Sequence, residues 1–240
     1  MRLSQRRNGG VLGVGKRIFI RINFNKIMAT IKNKKPAKNP AKDVYDQLAN
    51  FVYETGNISK TPRSGFWLLG TGTQSVAEHM FHTAMIAYAL AHLEPKADMK
   101  KVMLMALFHD IGEGRTSDHN YAHQRYGRLA EAVAVADIAK SVPFGAEILE
   151  LFTEEQAKVS LEAKLVKDAD QLEWISTLRT EEVKGNIKAT AWIAIAAKRL
   201  KTPAAQKLVK VLLNTHPDSW WFNPSDEWFV DRKVENKGWK

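Results

Sequence analysis

MKKVMLMALFHDIGEG, residues 99–114, decides the fold. Met99, Val102, Met103, Ala106, His109, Asp110 and Glu113 recur at helical spacing and so share one face. The first four are apolar and belong against a core. The last three are polar and continue the same line inward. Buried ionisable groups need partners or a metal. The blander alternative is a helix that surfaces at its last turn, with both acids solvated. Two acids at a helix C-terminus oppose the dipole, which counts against it. The stretch reads as a helix over 99 to about 113 whose end lines a polar pocket.

Two other helices can supply the rest of that pocket. Ser75-Val76-Ala77-Glu78 is a capping box, which accounts for Glu78. It opens a helix to about residue 93 that is apolar nearly all round, hence central and buried. His79 lies in its first turn; His82, one turn on, reads as an ordinary hydrogen-bonded histidine. Ser160 caps a long helix to about 183 that carries Lys167-Asp168-Ala169-Asp170. Asp168 continues a stripe of Leu161, Leu165, Leu172 and Ile175, and Asp170 one of Ala163, Val166, Trp174 and Thr177. Periodicity does not choose between the two acids.

Further helices are predicted over 43–54, 123–140 and 146–152, from Gly185-Asn186 to about 201, and over 203–214, where Pro203 takes a first helical position. A Gly-, Thr- and Pro-rich loop covers 62–72. The fold class is all-α, a single helical domain over 43–223. A basic tail over 1–42, expected to be disordered, precedes it, and an irregular tryptophan-rich tail over 224–240 follows.

Composition narrows the function. The chain has 240 residues and no cysteine, which removes disulfide frameworks, thiolate zinc sites and cysteine nucleophiles. The net charge of +10 is the tail's: residues 1–42 hold 12 Lys and Arg and no acid, and the rest holds 24 basic and 26 acidic residues. The body is nearly neutral, so nucleic acid is not expected as a partner. The tail reads as a phosphate-touching arm, as an organelle-targeting segment, or as a leader ahead of a start at Met28. Gly10 to Lys16 spells most of a phosphate-binding loop, but Arg17 stands where a Ser or Thr is required. No apolar run reaches membrane length, and the expected location is cytoplasmic.

Taken together, a His, a His-Asp pair and an Asp come from three inward-facing helices. Two imidazoles and two carboxylates suit a divalent transition metal: manganese, cobalt, iron, nickel or zinc. With its segments Ser75 to His79, Ala106 to Glu113 and Lys167 to Asp170, the chain resembles the HD-domain phosphohydrolases over roughly residues 43–223. Within them it is most similar to the branch of bacterial 5'-deoxynucleotidase and its eukaryotic relatives. The resemblance implies an HD-type fold with metal ligands at His79, His109, Asp110 and Asp170, and so favours Asp170 over Asp168. It implies Glu113 as the catalytic glutamate that handles the attacking water, Asp118 near the substrate sugar and Arg63 on the phosphate. The chain departs from that branch in Trp67 to Thr73, which lacks a second arginine, and in His119-Asn120-Tyr121 after Asp118.

The expected reaction is release of phosphate from a nucleoside 5'-monophosphate, a deoxyribonucleotide first. Lys167 and Arg115 are further candidates to offset phosphoryl charge, and Phe66 or Trp67 to stack on a base. Alternatives are another phosphate ester (a nucleoside triphosphate, a cyclic nucleotide or a non-nucleotide) and a nucleic-acid-associated protein using its basic arm. Paired-iron oxygenase chemistry is a third, requiring a second metal near His82, His119 or His123. A homodimer is compatible with all of these.

Overall fold

The computed structural model describes residues 43–232. The tail 1–42, with its loop-like glycines and Met28, and residues 233–240 lie outside the described residues.

The described residues form helices joined by turns, and the only β feature among them is one bridge, Pro62 to Ser75. In chain order they are α1 Val44–Asn57, α2 Gly65–Leu69, α3 Val76–His92, α4 Met99–Phe108, α5 Glu113–Thr116, α6 Tyr121–Tyr126, α7 Glu131–Ser141, α8 Gly145–Ala157, α9 Leu161–Val183, α10 Ile187–Ala197 and α11 Pro203–Asn214. None is long and apolar enough to cross a membrane.

The central post is α9, which packs against α3, α4, α8, α10 and α11. Leu165, Val166, Ala169, Leu172, Ile175 and Leu178 along it are wholly buried. Removing such surface from water is the main drive to this arrangement. Small residues on α3 (Ala84, Ala87 and Ala91) let the neighbouring helices close on it. The capping box forms as the sequence predicts: Ser75 Oγ accepts from Glu78 N–H while Glu78 accepts from Ser75 N–H. It aims the first turn of α3, and His79 with it, at α9. One expectation for α3 fails. It is not buried all round, because Phe81, Met85 and Tyr88 are exposed by 66%, 50% and 43%.

The stretch predicted as one helix over 99–113 stops as a regular helix at Phe108. The His109 ring Nδ1 takes the Ala106 carbonyl at 2.8 Å. Beyond it the bonds tighten to i→i−3, from Ile111 to Phe108 and from Glu113 to Asp110. Gly112 permits this turn to sit against α7, since a Cβ there would lie 2.8 Å from Glu131 Cγ. The helix predicted over 123–140 is likewise two. Asn120 caps α6 through the amides of Ala122 and His123, and Gly127 ends it. Within the predicted 62–72 loop, Gly65–Leu69 is a helical turn, and α8 extends five residues past the predicted 152.

Asp168, fully buried, is a structural acid. Its carboxylate accepts from Lys201 N–H, Thr202 N–H and Thr202 Oγ at 2.7–2.8 Å, fixing the entry to α11. Asp168→Ala would leave buried donors unpaired and is expected to cost about 2–4 kcal/mol in urea unfolding. Turnover per folded molecule should not change, because the carboxylate faces away from the cavity described next.

Candidate metal centre

His79 from α3, His109 and Asp110 from the turn after α4, and Asp170 from α9 converge. His79 Nε2 lies 3.4 Å from Asp110 Oδ2 and 3.4 Å from Asp170 Oδ1. His109 Nε2 lies 3.2 Å from Asp110 Oδ2 and 3.3 Å from His79 Nε2. An ion about 2.0–2.2 Å from two ligand atoms, with about 90–110° between them, separates those atoms by about 2.8–3.6 Å. All four separations fall in that range. His79, His109 and Asp170 form the one cluster of three such groups among the described residues. Among the described residues no second cluster forms around His82, His119 or His123, where paired-metal oxygenase chemistry would need one.

The imidazoles are held in one orientation from behind. His109 Nδ1–H donates to the Ala106 carbonyl. His79 Nδ1–H donates to Glu173 Oε2 at 2.7 Å, and both of those side chains are fully buried. With each Nδ1 engaged as a donor, the two Nε2 atoms are left to face each other across 3.3 Å. A proton between them serves one pair at a time, whereas a divalent cation serves all four donors at once. The donor set therefore fits a metal ion.

Electrostatics agree. Burial and the Arg63 cation press His79 down, yet Asp110, Asp170 and Glu173 lift it well above the usual histidine range. Burial likewise opposes the charge on His109, and Asp110 raises it. Burial pushes both aspartates up, but His109 and His79 hold Asp110, and Lys167 and His79 hold Asp170, well below the usual carboxylate range. Asp170 uses Oδ1 toward His79 and Oδ2 toward Lys167 Nζ at 2.5 Å and Gln171 Nε2 at 3.1 Å.

His109, Asp110 and Asp170 line a cavity of about 320 Å³ that Arg63, Glu113, Asp118 and Lys167 share, with His79 buried behind them. Glu113 is pushed up to about 10 by burial and by the Asp110 and Asp118 charges. Its Oε2 is buried with no hydrogen-bond partner among the described residues. The Arg63 guanidinium lies 5.8 Å from the Trp174 ring centroid, and no carboxylate pairs with it directly among the described residues. Asp110, Glu173, Asp170 and Asp118 together outweigh burial and hold it charged. Asp118 Oδ2 accepts from Ser64 N–H and Oγ, which ties the Arg63 loop to the cavity wall.

Three residues named from sequence are elsewhere. Arg115 forms a two-pronged ion pair with Glu54 outside the cavity. Phe66 is core, edge-on to Trp174 at 5.4 Å, and Trp67 is 65% exposed beside His123. Glu173 is the residue that sequence reasoning missed. Besides His79 it accepts from Gln74 Nε2 at 2.6 Å and Thr177 Oγ at 3.1 Å, and His82 Nδ1 lies 3.4 Å away. Burial pushes it up, but His79 and His82 hold it far below the usual range. The available signal was its place one turn past Asp170 on the same helix.

The profile of the HD domain family matches residues 55–212. Among curated relatives, 5'-deoxynucleotidase hdd1 of Schizosaccharomyces pombe is 24% identical over 193 residues, 76% of this chain and 96% of the relative. 5'-deoxynucleotidase HDDC2 of Dictyostelium discoideum is 32% identical over 132 residues, 50% of this chain and 70% of the relative. Among solved structures, a conserved hypothetical protein from Pyrococcus furiosus superposes with a TM-score of 0.63 at 27% identity, covering 70% of this chain and 99% of its own. PH0347 protein from Pyrococcus horikoshii gives 0.58 at 27% identity, covering 69% and 96%.

Proposed function

We propose, since this chain belongs to the HD-domain family, that it is a metal-dependent phosphohydrolase of nucleoside 5'-monophosphates, with deoxyribonucleotides as preferred substrates. One observation carries the reading: two imidazole Nε2 atoms and two carboxylates converge beside an arginine that no carboxylate pairs directly among the described residues. The relatives named 5'-deoxynucleotidase support the substrate class.

In this reading His79, His109, Asp110 and Asp170 hold the ion. A divalent cation bound there would polarise a phosphoryl oxygen and acidify a water. The charge of such a cation would also draw the Glu113 carboxyl down to its ionised form, so that Glu113 takes the proton of the attacking water as that water's oxygen bonds to phosphorus and the P–O ester bond breaks, the nucleoside 5'-oxygen leaving with a proton from solvent water. Arg63 and Lys167 offset the negative charge on the phosphoryl oxygens. Asp118 keeps Oδ2 on Ser64 and offers Oδ1 to a sugar hydroxyl. Lys167, bonded to Asp170, also orients that ligand. The domain that carries this chemistry is taken to run over residues 43–223.

Phosphate release from deoxyribo- and ribonucleoside 5'-monophosphates, with a triphosphate and a cyclic nucleotide alongside, tests the substrate class. Release from the deoxy monophosphates is expected to be fastest. Equal release from both sugars removes the deoxy preference, and release from the triphosphate or cyclic nucleotide alone overturns the proposal.

Glu173 supports His79 from behind, and outer partners of this kind are worth about 10–100-fold in metal affinity. Glu173→Gln is therefore expected to weaken manganese binding by about that factor in a calorimetric titration. Unchanged affinity would assign Glu173 to packing alone.

A further inference from the structure

The cavity continues past the metal-side groups to an aromatic wall that the phosphoryl chemistry does not use. Trp174, Trp192 and Tyr121 follow one another along it, with ring centroids 6.2 Å and 6.3 Å apart. Arg199 stands over the hydroxyl end of Tyr121, its guanidinium carbon 5.0 Å from the ring centroid. Its Nη1 donates to the Tyr121 hydroxyl at 2.7 Å and to Gln171 Oε1 at 3.2 Å, and no carboxylate pairs with it among the described residues. Those two bonds consume both Nη1 hydrogens. The Nε–H and the Nη2 hydrogens keep a parallel pair of donors available. Gln171 passes its other end to the metal-side cluster, donating from Nε2 to Asp170 Oδ2 at 3.1 Å. A continuous line of hydrogen bonds thus runs from Asp170 through Gln171 and Arg199 to Tyr121.

We infer that this far end is a nucleobase subsite, with the base laid against Trp192 and Tyr121 and its carbonyl-bearing edge read by Arg199. The inference rests on the phosphohydrolase reading above and adds to it the part that sets base preference. An aromatic wall supplies stacking that any base can use. A donor-only fork discriminates among bases. Guanine presents two adjacent acceptors, O6 and N7, whereas adenine presents an acceptor beside a donor, so of the two purines guanine alone satisfies both prongs. The subsite also restores positive charge to a cavity whose loop over Trp67 to Thr73 lacks a basic residue.

The test compares kcat/KM of the manganese-loaded chain for deoxyguanosine 5'-monophosphate, deoxyadenosine 5'-monophosphate and 2-deoxyribose 5-phosphate. The guanine nucleotide is expected to exceed the adenine nucleotide by about tenfold, and both to exceed the sugar phosphate. Arg199→Lys, which keeps the charge and loses the fork, should bring the guanine-to-adenine ratio near one. Trp192→Leu should reduce the advantage of both nucleotides over the sugar phosphate. Equal rates on all three substrates, or an unchanged ratio in Arg199→Lys, overturn the subsite and leave the phosphohydrolase reading standing. Absence of release from every substrate overturns that reading instead. The subsite is then judged by tryptophan fluorescence: quenching by deoxyguanosine 5'-monophosphate that Trp192→Leu removes supports it, and absence of quenching overturns it.

Discussion

Glu113→Gln is expected to lower kcat by about 10²- to 10⁴-fold, the usual worth of a positioned general base, while making the metal-free protein more stable. The two effects share one cause. Burial and the Asp110 and Asp118 charges raise the Glu113 carboxyl to about 10 from an ordinary 4.5. A carboxyl whose folded pKa is raised contributes stability that is fully present below pH 4.5 and is lost as pH climbs toward 10. Glutamine takes up no proton and escapes that loss. The difference in Tm between variant and wild type should therefore widen from pH 5 to pH 9. A variant that loses activity together with stability would assign Glu113 to the scaffold.

The second large effect is on metal binding. His79 and His109 are both raised above the usual histidine pKa, His79 strongly. Each must shed the Nε2 proton before that atom can bind a cation, so proton and metal compete. Affinity for manganese or cobalt is expected to rise with pH by about tenfold per unit for each proton displaced, across the range below the raised pKa values. The sign for the metal-free protein is opposite. Its raised histidines contribute stability that is fully present below about pH 6.5 and fades as pH rises through their folded values. The Tm gained on adding metal should thus grow with pH. A titration in two buffers of different ionisation heat reads the released protons, and pH-independent affinity would contradict the assignment of both imidazoles as ligands.

Much of this site is legible in the sequence because its groups are short-range features of strong helices. A capping box fixes the phase of His79. The stripe from Met99 carries His109 and Asp110 inward without any tertiary information. The choice of Asp170 over Asp168 is different. Both continue apolar stripes, and the resemblance favours Asp170, while the partners of Asp168 (Lys201 and Thr202) lie more than thirty residues further along the chain. Glu173 was missed for the same reason. An acid on a long helix reads as solvated until His79, 94 residues earlier, is found against it. The early end of α4 was also out of reach, because a side chain, the His109 ring, takes the Ala106 carbonyl. The phosphate candidate Arg115 and the stacking candidates Phe66 and Trp67 were drawn from residues near the motifs in sequence. The aromatic wall comes instead from Tyr121, Trp174 and Trp192, which stand on three separate helices, α6, α9 and α10, and meet only in the folded chain.

The most direct test of the metal-centred account is phosphate release from a deoxyribonucleoside 5'-monophosphate by chelator-stripped protein, titrated with manganese or cobalt. Negligible release is expected without metal, with recovery that saturates as metal binds, and His109→Ala should abolish that recovery. Release that persists in stripped protein, or full recovery in His109→Ala, would contradict it.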